Sequence, residues 1–357
     1  MLAALIVVAH VERRRSPRDV PRVLWYVDPE AEALRAHGGA LATLDYPVAR
    51  LASNGSIDAG DPFPQPPARP YARFLWALRH CDIVVLSPDS SLLRETPLAY
   101  HELQLLRKAR RKVVVLPHGP EVRLPSRARD LLFKHALSVE QPAYARAEGT
   151  RLRDLEYVLG NADVVVAGAD WVDSMPWWDR LSALPYAVDL DEWRPAASER
   201  LAGSPVVLHV RDGEPRGTDF LVRACDGVPV ELRVVDAPNE DERRRLIAEA
   251  DVVAEQFVSG WYGTLAVEAM SMQKPVLSYL RDDLRELYVL FSFAENCPVV
   301  SAAPEEVEEQ LRALASDPAR RAELGRRGRE YVREHHSVEA AAATLDEMFK
   351  TLWEAPA

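Results

Sequence analysis

The chain is poor in cysteine. Cys81, Cys225 and Cys297 are the three it has, far apart and in no metal-ligand spacing. That argues against a cysteine-built metal site and leaves buried thiols in a reducing cytoplasm as the expectation. Positive charge is in deficit as well: 44 Lys and Arg stand against 55 Asp and Glu, a net charge of −11. A nucleic-acid binder draws its affinity from neutralising phosphates, so a chain this acidic argues against one. Any anionic ligand would need local arginines rather than the overall field. Long apolar runs are missing too. Residues 2–9 are apolar but too short to span a bilayer, and no basic segment precedes them, so they are expected to form a strand rather than a signal. No basic amphipathic helix offers itself for lipid docking, so at most peripheral membrane contact is expected. Finally, no Gly-x-Gly-x-x-Gly follows any strand of the first half, which disfavours a dehydrogenase.

What is present suits a soluble globular protein: 48% hydrophobic and 28% charged residues over 357 positions, a length that suggests two domains. The first half repeats an apolar run, a loop and a helix. Runs at 23–27 (VLWYV), 83–86 (IVVL), 113–116 (VVVL) and 164–167 (VVVA) are apolar on both faces, as in a buried parallel sheet. Helical patterns at 30–37, 71–80, 98–110 and 151–160 lie between them. The alternation predicts a doubly wound α/β domain, whose ligand crevice lies beyond the carboxyl ends of the strands. Residues 54–70, rich in Pro, Gly and Asp, read as a loop. His118 directly follows the third run and precedes Gly119, which puts it at the crevice edge; without that context a loop histidine is a surface residue.

Residues 176–195, with their tryptophans and prolines, read as a rigid interdomain hinge. A strand is expected at 206–210, followed by Arg211 and, five residues on, Arg216 before Gly217. Two such cations can clasp a diphosphate; alone, Arg216 is equally a solvated loop charge. A further strand is expected at 231–235 and a helix at 241–250, with Arg243, Arg244 and Arg245 on its solvated side. The most informative stretch is 251–280. It contains a strand at 252–254, a loop with Gly260 and Gly263, a helix from Thr264 to Met272, and a second strand at 276–279. A glycine loop opening a helix leaves N–H groups and the positive end of the dipole for a phosphate. Glu268, one turn in from Thr264, can accept from two ribose hydroxyls, or it is a solvated residue of an ordinary turn. Residues 304–331 read as two amphipathic helices, the second starting at Asp317-Pro318, and 338–353 as a last helix.

GWYGTLAVEAMSMQKPV (260–276) resembles the donor segment of the retaining glycosyltransferases of family four, which have the GT-B fold. Glu268 matches the second acid of that family's pattern; Gly260 stands at the first, and Gln273 where glycine is usual. Glu255, thirteen residues before Glu268, is a runner-up for the first acid outside the family position. The Arg211 and Arg216 spacing matches the family's Gly-Arg-x-x-x-x-Lys-Gly, with Arg216 for Lys. Residues 118–123 resemble the His-Gly-x-Asp-x-Arg of a subset of that family, with Glu121 for Asp, and 184–195 its hinge. Asp189-Leu190-Asp191 also spells the metal motif of a different glycosyltransferase fold.

The resemblance implies two Rossmann-like domains facing a cleft. The first would be an acceptor-side domain at 1–185 with the helix 338–357 packed back on it, the second a nucleotide-sugar domain at 186–337. It implies transfer of a hexose from a nucleotide-diphosphate sugar, with retention and without a metal or other cofactor. Arg211, Arg216 and the helix start at Gly263 would replace the cation. His118, Arg211 and Arg216 would act on the reacting groups, and Gly260, Trp261, Tyr262, Gly263, Thr264 and Glu268 would hold the donor. The acceptor is open among a small molecule, lipid or glycan. An epimerase or phosphorylase on the same fold, or a silent sugar-nucleotide-binding protein, is the alternative.

Overall fold

The computed structural model describes residues 19–27, 32–52, 55–117, 120–167, 172–173, 180–195, 203–236, 238–289 and 295–354. His118, residues 2–9 and part of the hinge lie outside them. The first elements are β1 (Val23–Tyr26), α1 (Glu32–Ala42), β2 (Val48–Leu51), β3 (Ile57–Ala59), α2 (Pro70–His80), β4 (Ile83–Leu86), α3 (Glu102–Lys108) and β5 (Lys112–Val115). Next come α4 (Leu131–Val139), α5 (Pro142–Asn161), β6 (Val164–Ala167), β7 (Leu181–Ala183), β8 (Val206–Arg211), α6 (Thr218–Cys225) and β9 (Glu231–Asp236). The chain ends with α7 (Glu240–Glu249), β10 (Val252–Ala254), α8 (Thr264–Ser271), β11 (Val276–Ser278), α9 (Asp282–Val289), β12 (Val300–Ser301), α10 (Val307–Ser316), α11 (Pro318–His335) and α12 (Val338–Glu354).

The residues cluster into two compact units, one drawn from Met1–Arg123, Glu148–Leu184 and Ala342–Ala357, the other from Leu124–Ala147 and Pro185–Ala341. Among the described residues the first unit has a seven-stranded sheet in the order β3-β2-β1-β4-β5-β6-β7. The predicted β-branched runs are its middle: β1, β4 and β5 are buried, which is why both of their faces had to be apolar. After β1 the chain builds outward to β2 and β3 and then returns to place β4 on the other side of β1, so the order reverses between β1 and β4. Two expectations change here. Residues 54–70 are not all loop, because Ile57 is buried and β3 pairs antiparallel with β2. The helix expected at 30–37 is α1, and it runs on through Gly38 and Gly39.

The second unit, among its described residues, has a parallel five-stranded sheet in the order β12-β11-β10-β8-β9. Its order reverses between β8 and β10, so the loops after those strands flank the crevice of a doubly wound sheet. Under the sheet α10 and α6 share one apolar core with Val207, Val252 and Leu277. Helix α11 lies against α8 at Gly325 and Gly328. A Cβ on Gly325 would stand 2.0 Å from the Gln273 carbonyl oxygen, so this contact admits no side chain. The α4 hairpin also belongs to this unit: Phe133, Ala136, Leu137 and Tyr144 pack around Val258 in the loop after β10.

Candidate functional site

The loop after β10 is built on two buried side chains. Gln256 accepts from the amides of Val258 at 2.8 Å, Ser259 at 2.7 Å and Gly260 at 3.3 Å, and its own amide donates to the carbonyls of Trp261 at 3.0 Å and Tyr279 at 2.7 Å. Glu255 accepts from Gly263 N at 2.9 and 3.0 Å and from Ala266 N at 3.3 Å. A helix start offers positive dipole and unpaired amides to an anion, and here part of that offer is taken by the protein's own carboxylate. The tip of α8 is therefore capped, not bare as the sequence suggested. Burial pushes the Glu255 carboxyl above its ordinary range, against the pull of the Arg216 guanidinium and the two amides. Gly263 and Thr264 remain half-exposed.

Gly260 has φ +87°, and a Cβ there would meet Arg281 Cδ at 2.4 Å. No side chain fits unless Arg281 moves. Arg281 is 5% exposed, donates its own amide to the Gly260 carbonyl at 2.8 Å and pairs with Asp283 at 2.7 Å. Trp261 and Tyr262 stack at 5.1 Å and are buried. The Tyr262 hydroxyl lies 2.9 Å from that of Tyr331 and 3.0 Å from His336 Nε2, so its ring anchors the loop to the interior instead of lining an open site.

The turn after β8 meets this loop. Phe257 N donates to the Arg216 carbonyl at 2.9 Å. Gly217, at φ +71°, lies so close that a Cβ would stand 2.9 Å from Val258 Cγ2. The structure thus brings Arg216 to the loop that opens α8, and its charge acts on Glu255. Its guanidinium is held by Asp212, Nε donating to Oδ1 at 3.0 Å and Nη2 to Oδ2. Arg211 goes elsewhere. It makes a two-pronged pair, 2.7 and 2.9 Å, with Asp236 at the end of β9, the strand flanking β8 on the side away from β10. The expected clasp of two arginines is, in this arrangement, one arginine with Arg211 turned outward. His209, buried on β8 and not singled out in the sequence, ties the crevice together. Its ring nitrogens meet the Ala254 carbonyl at 2.8 Å and Thr218 Oγ1 at 2.9 Å, and burial lowers its basicity.

Glu268 is placed on α8 as predicted, but the arginine run is not all solvated. Arg243 reaches back to Glu268 with bonds of 2.6 and 2.8 Å, the two side chains 11% and 9% exposed. Arg243 and Arg244 also lie over the Trp193 ring, at 5.7 and 4.9 Å, leaving Arg245 as the member that faces solvent. The predicted face failed because a carboxylate buried on α8 needs a partner, and α7 supplies it. In the Asp-x-Asp phrase, Asp189 accepts from Asp191 N at 2.7 Å and Asp191 pairs with Arg194 at 2.9 Å, so both aspartates serve their own turn.

A family profile described as glycosyl transferase-like matches residues 263–347. Among solved structures, sucrose-phosphate synthase from Thermosynechococcus elongatus superposes with a TM-score of 0.65 at 16% identity, over 94% of this chain and all of that one. The fold is that of the GT-B glycosyltransferases. The HepE protein of Anabaena, solved with UDP, matches this GT-B chain with a TM-score of 0.58 at 16% identity, over 92% of this chain and 100% of its own. AviGT4, a glycosyltransferase of avilamycin A biosynthesis, gives 0.53 at 16% identity, over 94% and 99%. No curated protein matches the sequence. Among the described residues no helix is long and apolar enough to cross a membrane.

Proposed function

We propose that the protein is a hexosyltransferase. It moves a sugar from a nucleotide-diphosphate donor to an acceptor, with retention at the anomeric carbon and no metal. The observation that carries this reading is the meeting, at the switch point of the second sheet, of the Arg216 turn with the loop opening α8 at Gly263. Charge on the leaving diphosphate is stabilised by Arg216 and by the positive end of α8 at Thr264, the Gly263 amide staying with Glu255. Such fixed donors act more strongly on the transition state than on the bound substrate.

Glu255 keeps its place as an anchor that fixes the Gly263 amide, and the diphosphate takes Arg216 from Asp212. Glu268 holds the ribose. Its carboxylate is set in place by Arg243, which donates to it at 2.6 and 2.8 Å. His118 lines the sugar pocket, the second unit binds the donor and the first the acceptor. A cytoplasmic setting suits the free thiols of Cys81, Cys225 and Cys297.

The test is a thermal-shift panel of nucleoside diphosphates and their hexoses, in which a tight ligand raises the melting point by mass action, followed by transfer assays with and without EDTA. Melting that ignores every nucleotide defeats the reading. Conversion of donor without acceptor indicates an epimerase instead, and activity lost to EDTA defeats the metal-free part.

A further inference from the structure

The first unit has a cavity lined by none of the residues proposed to hold the donor. It measures about 360 Å³ and opens where β4 ends, at Leu86, on one flank of the point where the strand order of that sheet reverses. Ligands of doubly wound sheets bind at such places, and the volume falls at the compact end of the range for small-molecule sites, about 300–1,000 Å³. Its floor is apolar: Leu86, Leu103 and Val158 are buried. Its wall is aromatic. Tyr100, 67% exposed, meets Tyr157 edge-on at 6.4 Å. The Tyr157 hydroxyl accepts from Leu103 N at 3.3 Å, which fixes that ring beside the floor. A tyrosine left two-thirds in water against a second ring, above an apolar floor, is a surface against which a ring ligand can lay its C–H face.

The rim settles the charge of that ligand. Asp89, Glu95 and Asp154 line the cavity with Arg94 as their counter-charge, three negative groups against one positive, and Arg94 also donates to the Asp89 carbonyl. Beneath them Glu102 is committed to the loop, accepting from Leu92 N at 3.0 Å and Leu93 N at 2.9 Å. The loop is therefore held in one shape by a buried carboxylate while its outer carboxylates face the opening. Arg73 acts on Glu102 from the floor side, while the groups at the opening itself are mostly negative and favour a cation over a phosphate there, a preference to which the tyrosine faces add.

We propose that this cavity binds a six-membered polyol carrying a protonated amine, an amino sugar or aminocyclitol. This deepens the proposed function by giving its unnamed second substrate a size and a charge. It rests on that reading for the ligand's role but not for its binding, so the test contains no nucleotide. D-Glucosamine, D-glucose and D-glucose 6-phosphate share one ring and differ in charge, and each is titrated into the whole protein by calorimetry below the amine's pKa. Glucosamine should bind about ten-fold more tightly than glucose, consistent with one well-placed ionic contact, and the phosphate ester should bind least. Asp154→Asn with Glu95→Gln should erase the preference for the amine while glucose binding persists, and Tyr100→Ala should weaken both sugars. Unaltered melting curves show that these surface changes leave the fold intact. Equal binding of the three sugars, no binding of any, or an amine preference that survives the double substitution overturns the proposal. A glucosamine site in a protein that ignores every nucleotide would keep the cavity assignment and discard the transferase reading.

Discussion

The pair between Arg216 and Asp212 gives the sharpest test of how the donor is held. If the diphosphate takes Arg216 from Asp212, removing the aspartate charge should help the ligand and removing the arginine should hurt it. The side chains are 22% and 40% exposed, so solvent screens the pair; an ion pair of this kind contributes about 0.2–1 kcal/mol. Asp212→Asn should then tighten binding of the nucleoside diphosphate about 1.5- to 5-fold. Loss of a charge-assisted bond to phosphate costs about 1.5–3 kcal/mol, so Arg216→Ala should weaken binding about 10- to 150-fold. Isothermal calorimetry with the nucleoside diphosphate that the thermal-shift panel selects reads both, and the double variant closes a cycle. In the Arg216→Ala background Asp212→Asn should give no gain, since its benefit acts through the arginine. An Asp212→Asn gain that persists without Arg216, or an Arg216→Ala protein that binds as well as the parent, refutes the reasoning.

Other consequences are open to measurement. Gly325→Ala should lower stability by about 1–3 kcal/mol through overpacking, despite alanine's better helix propensity, because its Cβ would meet the Gln273 carbonyl at 2.0 Å; a melting point at or above the parent's contradicts the close approach. Gln273 sits at φ +60° just past α8, where Lys274 N reaches the Ala269 carbonyl at 2.9 Å and Gln273 N that of Met270 at 3.0 Å. Relief of a left-handed non-glycine residue is worth about 1 kcal/mol, so Gln273→Gly should raise the denaturation midpoint, and a drop would show the side chain matters. Glu255 has a raised carboxyl in the folded state. The unfolded chain loses that proton first, so the group's contribution is complete below the unfolded pKa and declines as pH rises through the folded one. Glu255→Gln should therefore gain on the parent in melting temperature as pH climbs above the ordinary carboxylate range, and parallel melting curves across pH would disprove it. Breaking a largely buried pair costs about 3–5 kcal/mol, and a loss toward the lower end is expected for Glu268→Ala from Arg243 left without its carboxylate; unchanged urea midpoints would remove the pair from the structure's supports.

What could be read from the sequence divides along physical lines. β1, β4, β5 and β6 were visible because strands buried on both faces must be apolar throughout. β2, β3 and β7 were not, since each carries half-buried positions and three or four residues, too little for a period to emerge. α4 was missed although Asp130 caps it through Phe133 N at 2.9 Å; the cap was legible, but nine residues hold few apolar repeats. On α8 the placement of Glu268 followed from local spacing alone. Which partner it would find did not, because Arg243 lies 25 residues earlier and only the fold brings the two within 2.6 Å. Glu255 read as a spare acid because nothing local says that its carboxylate turns back onto Gly263, and Gln256 and His209 gave no signal, being polar residues in apolar runs whose partners are all supplied by folding.

The α4 hairpin matters to anyone who would recombine this protein. Tyr144 donates to Glu214 at 3.1 Å and Tyr279 to Asp130 at 3.3 Å, so the strip 124–147, encoded in the front half of the gene, works as a roof for loops encoded in the back half. A chimera cut at the linker near Pro185 would give the transplanted lobe a foreign roof over Val258. Lobe exchange needs two crossovers, one at the linker and one that carries this strip along.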